Sequence, residues 1–317
     1  MLKYMSAAVA AAMGMVVAAQ AQTAADDKAQ VEEIIVTGRK SGVPMWTVRS
    51  DTTTLVLVGG IEGVSKTTKW NPEALVDSLR RADRVMFPQS HALTASNPFR
   101  IIGWLAKYKK MGSLPKDQSL GQFAGPEAMR RLSALQARGM AQKDFERRHP
   151  FHLANDLRDR AKGDLDFGRN VAEYVEKAVK THKLKLTVDP ISKSRAKPVI
   201  KDLFASTPDE HVPCLRDAIA AAEAGPAAVQ ARSDAWAARR VPEVLASPAD
   251  KVYSSCWPAG AGIGRSIDDL TAEMRALLAE EQVTVAVLGL RALAANGAIL
   301  DRLEATGYDI QGPAWKN

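Results

Sequence analysis

Two short apolar runs that each end in glycine constrain the fold of this chain more than any other feature. The first is 57–62, with the sequence Leu-Val-Gly-Gly-Ile-Glu, and the second is 287–293, with the sequence Val-Leu-Gly-Leu-Arg-Ala-Leu. Apolar runs of this length bounded by turn residues are typical of buried strands. Because helical patterns lie close to both runs, they predict βα units near the two ends of the chain.

The N-terminal unit is predicted to be a hairpin followed by a helix and a strand. Segments 45–48 and 53–58 are β-prone and flank a polar turn, which favours a hairpin. Residues 71–73, Asn-Pro-Glu, supply an N-cap, a proline at the first helical position and an acidic first turn. Segment 85–87 is then a second buried strand, and the strand–helix–strand order favours a parallel pair.

The C-terminal unit carries the clearest helix and strand signals. Ser266, with Asp269 three residues later, predicts the start of a helix with a capping-box variant. Segment 283–288 is predicted to be a strand, 297–305 a helix, and 308–310 a short final strand. The unit therefore adds further βα structure to the same sheet.

The segment between these units is predicted to be mostly helical and interrupted by glycine and proline. Its clearer helices are 99–110, 126–138, 155–159, 168–181, 218–223 and 228–239. The predicted fold class is α/β (α+β), with a mixed β-sheet from N- and C-terminal βα units and a large, mostly helical middle region. We expect one domain over 43–317, with 97–240 as a helical insertion.

Residues 1–21 have the organisation of a cleavable signal peptide. Lys3 provides the positive n-region, 6–19 is an apolar run, and 19–21 is a small-x-small cleavage site. The apolar run is shorter than the roughly 20 residues that span a bilayer. We therefore predict cleavage near Ala21/Gln22, export to the periplasm, and a mature chain without a transmembrane segment.

The two cysteines of the chain are predicted to form a disulfide. Cys214 and Cys256 are an even number of cysteines in a chain predicted to be exported, and an oxidising compartment favours their pairing. Closing a loop of that length contributes roughly 3–4 kcal/mol on the loop-entropy model. A structural role is therefore expected.

Residues 22–42 are predicted to form a flexible leader that contains a docking segment. Within it, 31–40 resembles the energy-coupling box of TonB-dependent receptors, where an acidic pair precedes Ile-Val-Val-Thr-Gly; the docking residues would be Ile34, Ile35, Val36 and Thr37. A β-prone segment on a tether can add a strand to a partner's sheet edge. TonB or an outer-membrane receptor system is then the partner. The alternative is that 34–36 forms the first strand of the domain.

The charge of the chain is basic but is spread over short clusters. The formal net charge is +7 and the pI is about 9.3. Such a distribution is typical of solvated helix faces and permits contact with anionic envelope surfaces. No nucleic-acid-binding motif accompanies it, so we predict no nucleic-acid partner.

The order of five segments resembles that of the TraB/GumN family, which is related to the Tiki-type metalloproteases and more remotely to ChaN-like and erythromycin-esterase-like proteins. The resemblance covers 44–90 and 265–313. Members of the family have a Trp-x-Val strand, a Gly-Thr/Ser-Ile-His strand end, an Ala-Asp helix end before a strand that closes on Glu, a Gly-x-x-His-Leu strand end, and Gly-Tyr-x-Val. The matching segments here are Trp46–Val48, Gly59–Glu62, Ala82–Pro88, Gly289–Leu293 and Gly307–Ile310.

The resemblance implies a divalent-metal site held by two histidines and a glutamate, and this chain departs from it at every ligand. The three positions are occupied by Glu62, Pro88 and Ala292. Imidazole and carboxylate ligands activate a metal-bound water, but Pro88 and Ala292 offer no ligand atom. A cleft is expected to remain there, lined also by Gly59, Gly60, Gln89, Gly289 and Arg291. Glu62 and Arg291 would form an ion pair at the former metal position.

The remaining histidines offer little for a rebuilt metal site. His149 and His152 form the only close pair, and Pro150 between them indicates a helix start or turn. His91, His182 and His211 are expected to be isolated surface residues.

The sequence thus predicts an exported protein with a degenerate metal site and no cofactor, which acts by binding as a cell-envelope accessory, with a TonB link through 31–40. The alternative is a metal-dependent hydrolase or peptidase with relocated ligands.

Overall fold

A computed structural model describes residues 42–51, 53–88, 91–94, 98–189, 192–256 and 266–316. The predicted signal peptide, residues 22–41 of the leader with the docking residues 34–37, and Gln89 lie outside these ranges. In the described ranges, no helix has both the length and the hydropathy that crossing a membrane requires.

The centre of the structure is a six-stranded mixed sheet with the order β5-β3-β7-β2-β1-β8. A separate two-stranded parallel sheet pairs β4 with β6. The strands are β1 (Met45–Arg49), β2 (Thr54–Gly60), β3 (Arg84–Met86), β4 (His91–Thr94), β5 (Thr187–Val188), β6 (Ser192–Arg195), β7 (Thr284–Gly289) and β8 (Asp309–Gln311). Strands β5, β3, β7 and β2 run parallel, whereas β1 and β8 pair antiparallel.

Helices cover the sheet and build a second core beside it. They are α1 (Glu73–Arg81), α2 (Pro98–Met111), α3 (Leu120–Ala137), α4 (Pro150–Ala161), α5 (Val171–Thr181), α6 (Ala196–Ala205), α7 (Val212–Ala237), α8 (Val241–Ala246), α9 (Pro248–Ser255), α10 (Ile267–Leu277), α11 (Leu290–Ala294) and α12 (Ile299–Glu304). Short 3-10 turns span 145–147 and 208–211. The predicted α/β class is confirmed.

The two glycine-ended runs lie side by side, as their pattern predicts. Strands β2 and β7 are parallel neighbours in a register that runs from Leu55 opposite Thr284 to Gly60 opposite Gly289. The hairpin of β1 and β2 is also confirmed. Both glycine ends are therefore at the same edge of the sheet, the edge at which parallel α/β sheets bind ligands.

The predicted pairing of β2 with β3 is wrong in one respect. The two strands are parallel, but β7 lies between them and pairs with both. Residues 284–288 of β7 are buried, which is the pattern of a central strand that is covered on both faces. A strand from the C-terminal unit therefore lies between two strands of the N-terminal unit in the sheet.

The capping signals of two helices place their starts to within one residue, whereas the helix predicted at 155–159 begins at Pro150. The Ser266 hydroxyl accepts a hydrogen bond of 3.0 Å from the Asp269 backbone N–H, as the capping box predicts. Helix α1 begins one residue later than expected: Pro72 is the cap position, while the Asn71 side chain still accepts a bond of 2.9 Å from the Glu73 N–H.

The predicted helices 218–223 and 228–239 lie in the two helical segments of α7. The segments meet at a kink at Gly225, where φ is 68° and ψ is not helical, and Pro226 begins the second segment. The glycine adopts a conformation that an L-residue avoids, so the first segment ends there. The middle region also contains β5 and β6, which the helical patterning did not reveal.

The disulfide prediction is confirmed. Cys214, at the start of α7, and Cys256, directly after α9, are bonded with their Cα atoms 4.8 Å apart. Both are buried in the second apolar core, which includes side chains of α3, α4, α7 and α9. The bond therefore joins two elements of the helical half rather than the helical half to the sheet.

Candidate functional site

A cavity of about 580 Å³ lies at the carboxyl ends of β2 and β7. Its floor is formed by the strand ends 60–62 and 287–292. The first residues of α5, 170–172, and Ile267 at the start of α10 form another part of its wall. The Asn170 side chain caps α5 by accepting a 2.9 Å hydrogen bond from the Glu173 N–H.

The structure brings five of the sequence-derived positions to the cavity wall: Gly60, Glu62, Gly289, Arg291 and Ala292. Pro88 is buried and does not line this cavity. Gly59 lies beneath the wall: its carbonyl accepts a 2.9 Å hydrogen bond from the Trp236 indole. A Cβ at Gly59 would be 2.6 Å from Leu290 Cδ1, so this glycine permits close packing.

Glu62 and Ala292, at which the sequence resemblance implies two histidines, differ in what they offer. Glu62 is exposed at the cavity, and no described hydrogen bond or ion pair involves its carboxylate. Ala292 presents only a methyl group. Among the described residues, no group of three or more His, Cys, Asp and Glu side chains is arranged to hold a metal ion.

A charged network forms the polar side of the cavity. Asp250 of α9 accepts hydrogen bonds from Arg291 Nε at 2.9 Å and from Arg232 Nε and Nη2 at 3.2 and 3.0 Å. Arg232 also donates to the Glu62 carbonyl oxygen at 2.8 Å. The side chains of Arg232 and Asp250 are 1% and 6% exposed, whereas that of Arg291 is 31% exposed.

The expected ion pair between Glu62 and Arg291 is wrong, because Arg291 pairs with Asp250 instead. A buried carboxylate requires partners, and Asp250 obtains them from two guanidinium groups. An exposed carboxylate such as that of Glu62 gains little from an ion pair. Arg291 is further fixed by a 2.7 Å bond to the Leu245 carbonyl.

Sequence reasoning missed both Arg232 and Asp250. Arg232 follows the buried Val229 by three residues and precedes the buried Trp236 by four, so it lies on the apolar face of α7. A charged residue on such a face is the signal that could have singled it out. Asp250 gives no comparable signal, because an acidic residue in a first helical turn is ordinary.

A second cavity of about 680 Å³ adjoins the first and shares Arg291, Ala295 and Asn296 with it. Trp315 forms part of its wall and donates a 2.9 Å hydrogen bond from its indole nitrogen to Asp301. The charged side chains of Lys251 and Lys316 also line it. Arg291 therefore faces both cavities.

Three histidines cluster away from these cavities. His149 is the N-cap of α4, with Pro150 at its first position, which confirms the predicted helix start. The His149 and His211 rings lie 5.4 Å apart, and His211 Nε2 shares a 2.7 Å hydrogen bond with the Ser206 hydroxyl. The expectation that His211 is an isolated surface residue is wrong: it is 1% exposed, because the turn before α7 folds it against α4.

Burial keeps these imidazoles neutral. Removal from water, together with the neighbouring His211 and His152, lowers the pKa of His149 to about 4. Burial also lowers the pKa of His152 and of His211. The His152 Nε2 atom is buried without a hydrogen-bond partner. The cluster lies in the helical half, and none of its members lines the strand-end cavity.

The chain is an α/β protein with a mixed sheet, and its cavity lies at the ends of parallel strands. In such folds, this edge of the sheet is where ligands bind. The family model of the TraB/PrgY/gumN family matches residues 44–312. The chain belongs to this family, which confirms the resemblance seen in its motifs. In comparisons with curated proteins and with solved structures, nothing matches significantly.

Proposed function

We propose that this chain is an exported TraB/PrgY/gumN family protein that binds a ligand in the strand-end cavity and does not carry out metal-dependent hydrolysis there. The observation that carries this proposal is the side-chain content of the cavity wall. The sheet, the glycine strand ends and the cavity are present, and its wall holds Glu62 and Ala292 at the positions where the family resemblance implies two histidines. Pro88, at the position of the implied glutamate, is buried outside the wall.

The electrostatics of the wall support binding rather than metal catalysis. Arg291 follows Gly289 by two residues and holds its guanidinium at the cavity, where it would repel a divalent cation. Asp250 is the buried carboxylate of the charged network, and the guanidinium groups of Arg232 and Arg291 already pair with it. Glu62 alone could ligate a hard cation, and one carboxylate is too few ligands for a catalytic site.

Export is supported by the predicted signal peptide of residues 1–21 and by the disulfide between Cys214 and Cys256. A disulfide of this kind is stable in an oxidising compartment such as the periplasm. The cell envelope is therefore the compartment in which the proposed ligand would be met.

The proposed partner is inferred from the leader sequence. Residues 31–40 resemble a TonB box, so the protein would act as an accessory of a TonB-linked uptake system. Deleting 22–41, which spares Gly42 and its 2.7 Å hydrogen bond to the Ala237 carbonyl, should abolish co-purification with TonB and leave the melting temperature unchanged. A large fall in melting temperature would mean instead that 34–36 is a strand of the domain.

The decisive experiment measures metal in the mature protein, residues 22–317, purified from the periplasm without chelator or affinity metal. We expect no stoichiometric zinc, manganese or iron, and no thermal shift when these ions are added. A variant with Glu62→His and Ala292→His places two imidazoles on the cavity wall and is the positive control for metal uptake.

One metal ion per chain in the unmodified protein would overturn the proposal. It would support the alternative, a hydrolase or peptidase with relocated ligands, and would direct attention to Glu62 and to the pair of His149 and His152. Cleavage of an unfolded peptide that is lost on chelation would then be expected.

A further inference from the structure

The basic charge of the chain is concentrated in one small lobe. We define the basic lobe as residues 91–94, 98–111 and 192–205, which comprise β4, α2, β6 and α6. These segments contain eight Lys and Arg residues and a single acidic residue, Asp202. The net charge of the whole chain is +7, so the lobe alone accounts for that excess while the rest is nearly balanced.

Folding, rather than the sequence order, assembles this lobe. Strand β4 pairs in parallel with β6 across nearly a hundred residues, from His91 opposite Ser192 to Thr94 opposite Arg195. Helix α2 packs on α6, where the Lys107 ammonium lies 4.6 Å from the centre of the Phe204 ring. Two basic segments that are distant in the chain are thereby brought together.

The same lobe exposes apolar side chains. In the part of the chain that the structure describes, four large apolar side chains are exposed, and three of them lie on α2: Ile102 at 64%, Leu105 at 62% and Tyr108 at 36%. Tyr108 is the least exposed of the three, because its ring packs against the His152 ring of α4, with the ring centres 4.2 Å apart. Ile102 and Leu105 have no such cover.

Helical spacing places the basic and apolar groups beside one another. Lys109 follows Leu105 by four residues and therefore lies next to it on the helix surface, and Lys110 lies one position further round. Helix α2 carries no acidic residue to neutralise them. Apolar side chains flanked by lysines are the composition of helices that lie in the interface of a membrane.

We propose that the basic lobe docks the protein on the surface of a bilayer that contains anionic phospholipids. Lys109 and Lys110 would approach the phosphate headgroups, while Ile102 and Leu105 would enter the boundary between headgroups and acyl chains. Charge complementarity selects the anionic surface, and the exposed apolar pair distinguishes a bilayer from a soluble polyanion. The inference does not depend on the function proposed for the strand-end cavity.

Vesicle co-sedimentation of the mature protein tests this proposal. Vesicles of phosphatidylglycerol and phosphatidylcholine are compared with vesicles of phosphatidylcholine alone, at low salt and at 0.5 M salt. We expect binding only to the anionic vesicles, weakened by the added salt. The variant Ile102→Gln with Leu105→Gln should lose at least tenfold in partition coefficient, with an unchanged melting temperature because neither side chain is buried.

Matched charge variants separate a local surface from net charge. Removing Lys109 and Lys110 by substitution with Gln should lower the partition coefficient by roughly fivefold for each lysine. Removing the exposed Lys180 and Lys183 on and beside α5 changes the net charge equally and should leave binding nearly unchanged.

Three results would each overturn the proposal. The first is no binding of the unmodified protein to anionic vesicles, which would leave the lobe free for a protein partner. The second is an equal loss in both pairs of lysine variants, which would indicate an effect of net charge only. The third is full binding by the Ile102/Leu105 variant, which is the behaviour of a site for a soluble anionic polymer.

Discussion

Arg291 and Asp250 are joined by two contacts, at 2.9 Å from Nε and 2.7 Å from a terminal guanidinium nitrogen, both to the same carboxylate oxygen. Arg291 lies just past the end of β7, and Asp250 lies in α9. The other oxygen of Asp250 is held by Arg232 of α7. One carboxylate therefore ties the end of the central strand to two helices of the helical half.

Asp250→Asn should destabilise the protein strongly. The substitution removes the negative charge that two guanidinium groups share in a site where the carboxylate is only 6% exposed. Breaking a buried ion pair from one side costs about 3–5 kcal/mol. Urea unfolding at pH 7 measures the change in the free energy of unfolding.

Glu62→Gln is the matched control for Asp250→Asn, because it neutralises a carboxylate of the same cavity that is exposed and has no described partner. Its effect should stay within about 0.5 kcal/mol. Equal effects of the two substitutions would show that Asp250 does not hold these elements together.

Gly59→Ala should also destabilise the fold, through packing. The added methyl would lie 2.6 Å from Leu290 Cδ1 and 3.1 Å from Trp46 Cζ3, and both residues are buried. Overpacking of a core costs about 1–3 kcal/mol. Thermal unfolding monitored by circular dichroism gives the change in melting temperature.

Gly103→Ala is the comparison for Gly59→Ala. Gly103 lies in α2, and a methyl group on its Cα would meet nothing within 4 Å outside the helix's own backbone. Alanine is favoured over glycine in a helix by about 1 kcal/mol. The melting temperature should therefore stay the same or rise, and a fall as large as that of Gly59→Ala would argue against a steric cause.

Much of the sheet could be predicted from the sequence because its signals are local. The runs that end at Gly60 and Gly289 are apolar over the length of a strand, and Ser266 with Asp269 marks a helix start that the structure reproduces. The position of the cavity then follows from the geometry of parallel strands, whose carboxyl ends meet at one edge.

The partners of particular side chains could not be predicted, because they depend on long-range packing. Arg291 and Glu62 line the same cavity, but Arg291 bonds to Asp250, which lies in α9 of the helical half. His211 has no neighbouring signal in the sequence, and it is buried only because the turn before α7 folds onto α4. Neither contact leaves a periodic pattern in the chain.

Removing the disulfide should weaken the helical half. Cys214 and Cys256 are separated by 42 residues in the sequence, and releasing a loop of this length increases the entropy of the unfolded chain. The loss expected on the loop-entropy model is about 3–4 kcal/mol. The variant Cys214→Ala with Cys256→Ala, compared with the unmodified protein in urea unfolding, measures it.

The reduced form of the unmodified protein provides the control for this disulfide variant. Both cysteines are buried among apolar side chains, so the alanines leave a small space as well as an open loop. Reduction opens the loop alone. If reduction leaves the urea midpoint unchanged, the disulfide contributes nothing through the unfolded state.

The histidine cluster should make the stability of the protein fall as the pH falls from about 6.5 to about 4. The pKa of His149 is lowered to about 4 in the folded protein, first by burial and then by His211 and His152. In this range the unfolded chain binds a proton that the folded chain does not, so the free energy of unfolding decreases with acidification. The difference between the His149 pKa in the unfolded chain and in the folded protein corresponds to about 3 kcal/mol in the free energy of unfolding.

The variant His149→Asn isolates this effect from that of the carboxylates. Asparagine keeps a side-chain acceptor at the N-cap, where His149 Nδ1 now accepts a 3.3 Å hydrogen bond from the Phe151 N–H, and it does not titrate. Urea unfolding at pH 7, 6, 5 and 4 should therefore show a shallower loss of stability in this variant. The comparison variant is His182→Asn, which replaces a histidine outside the cluster. Parallel curves for His149→Asn and the unmodified protein would mean that His149 is already protonated in the folded state near pH 6.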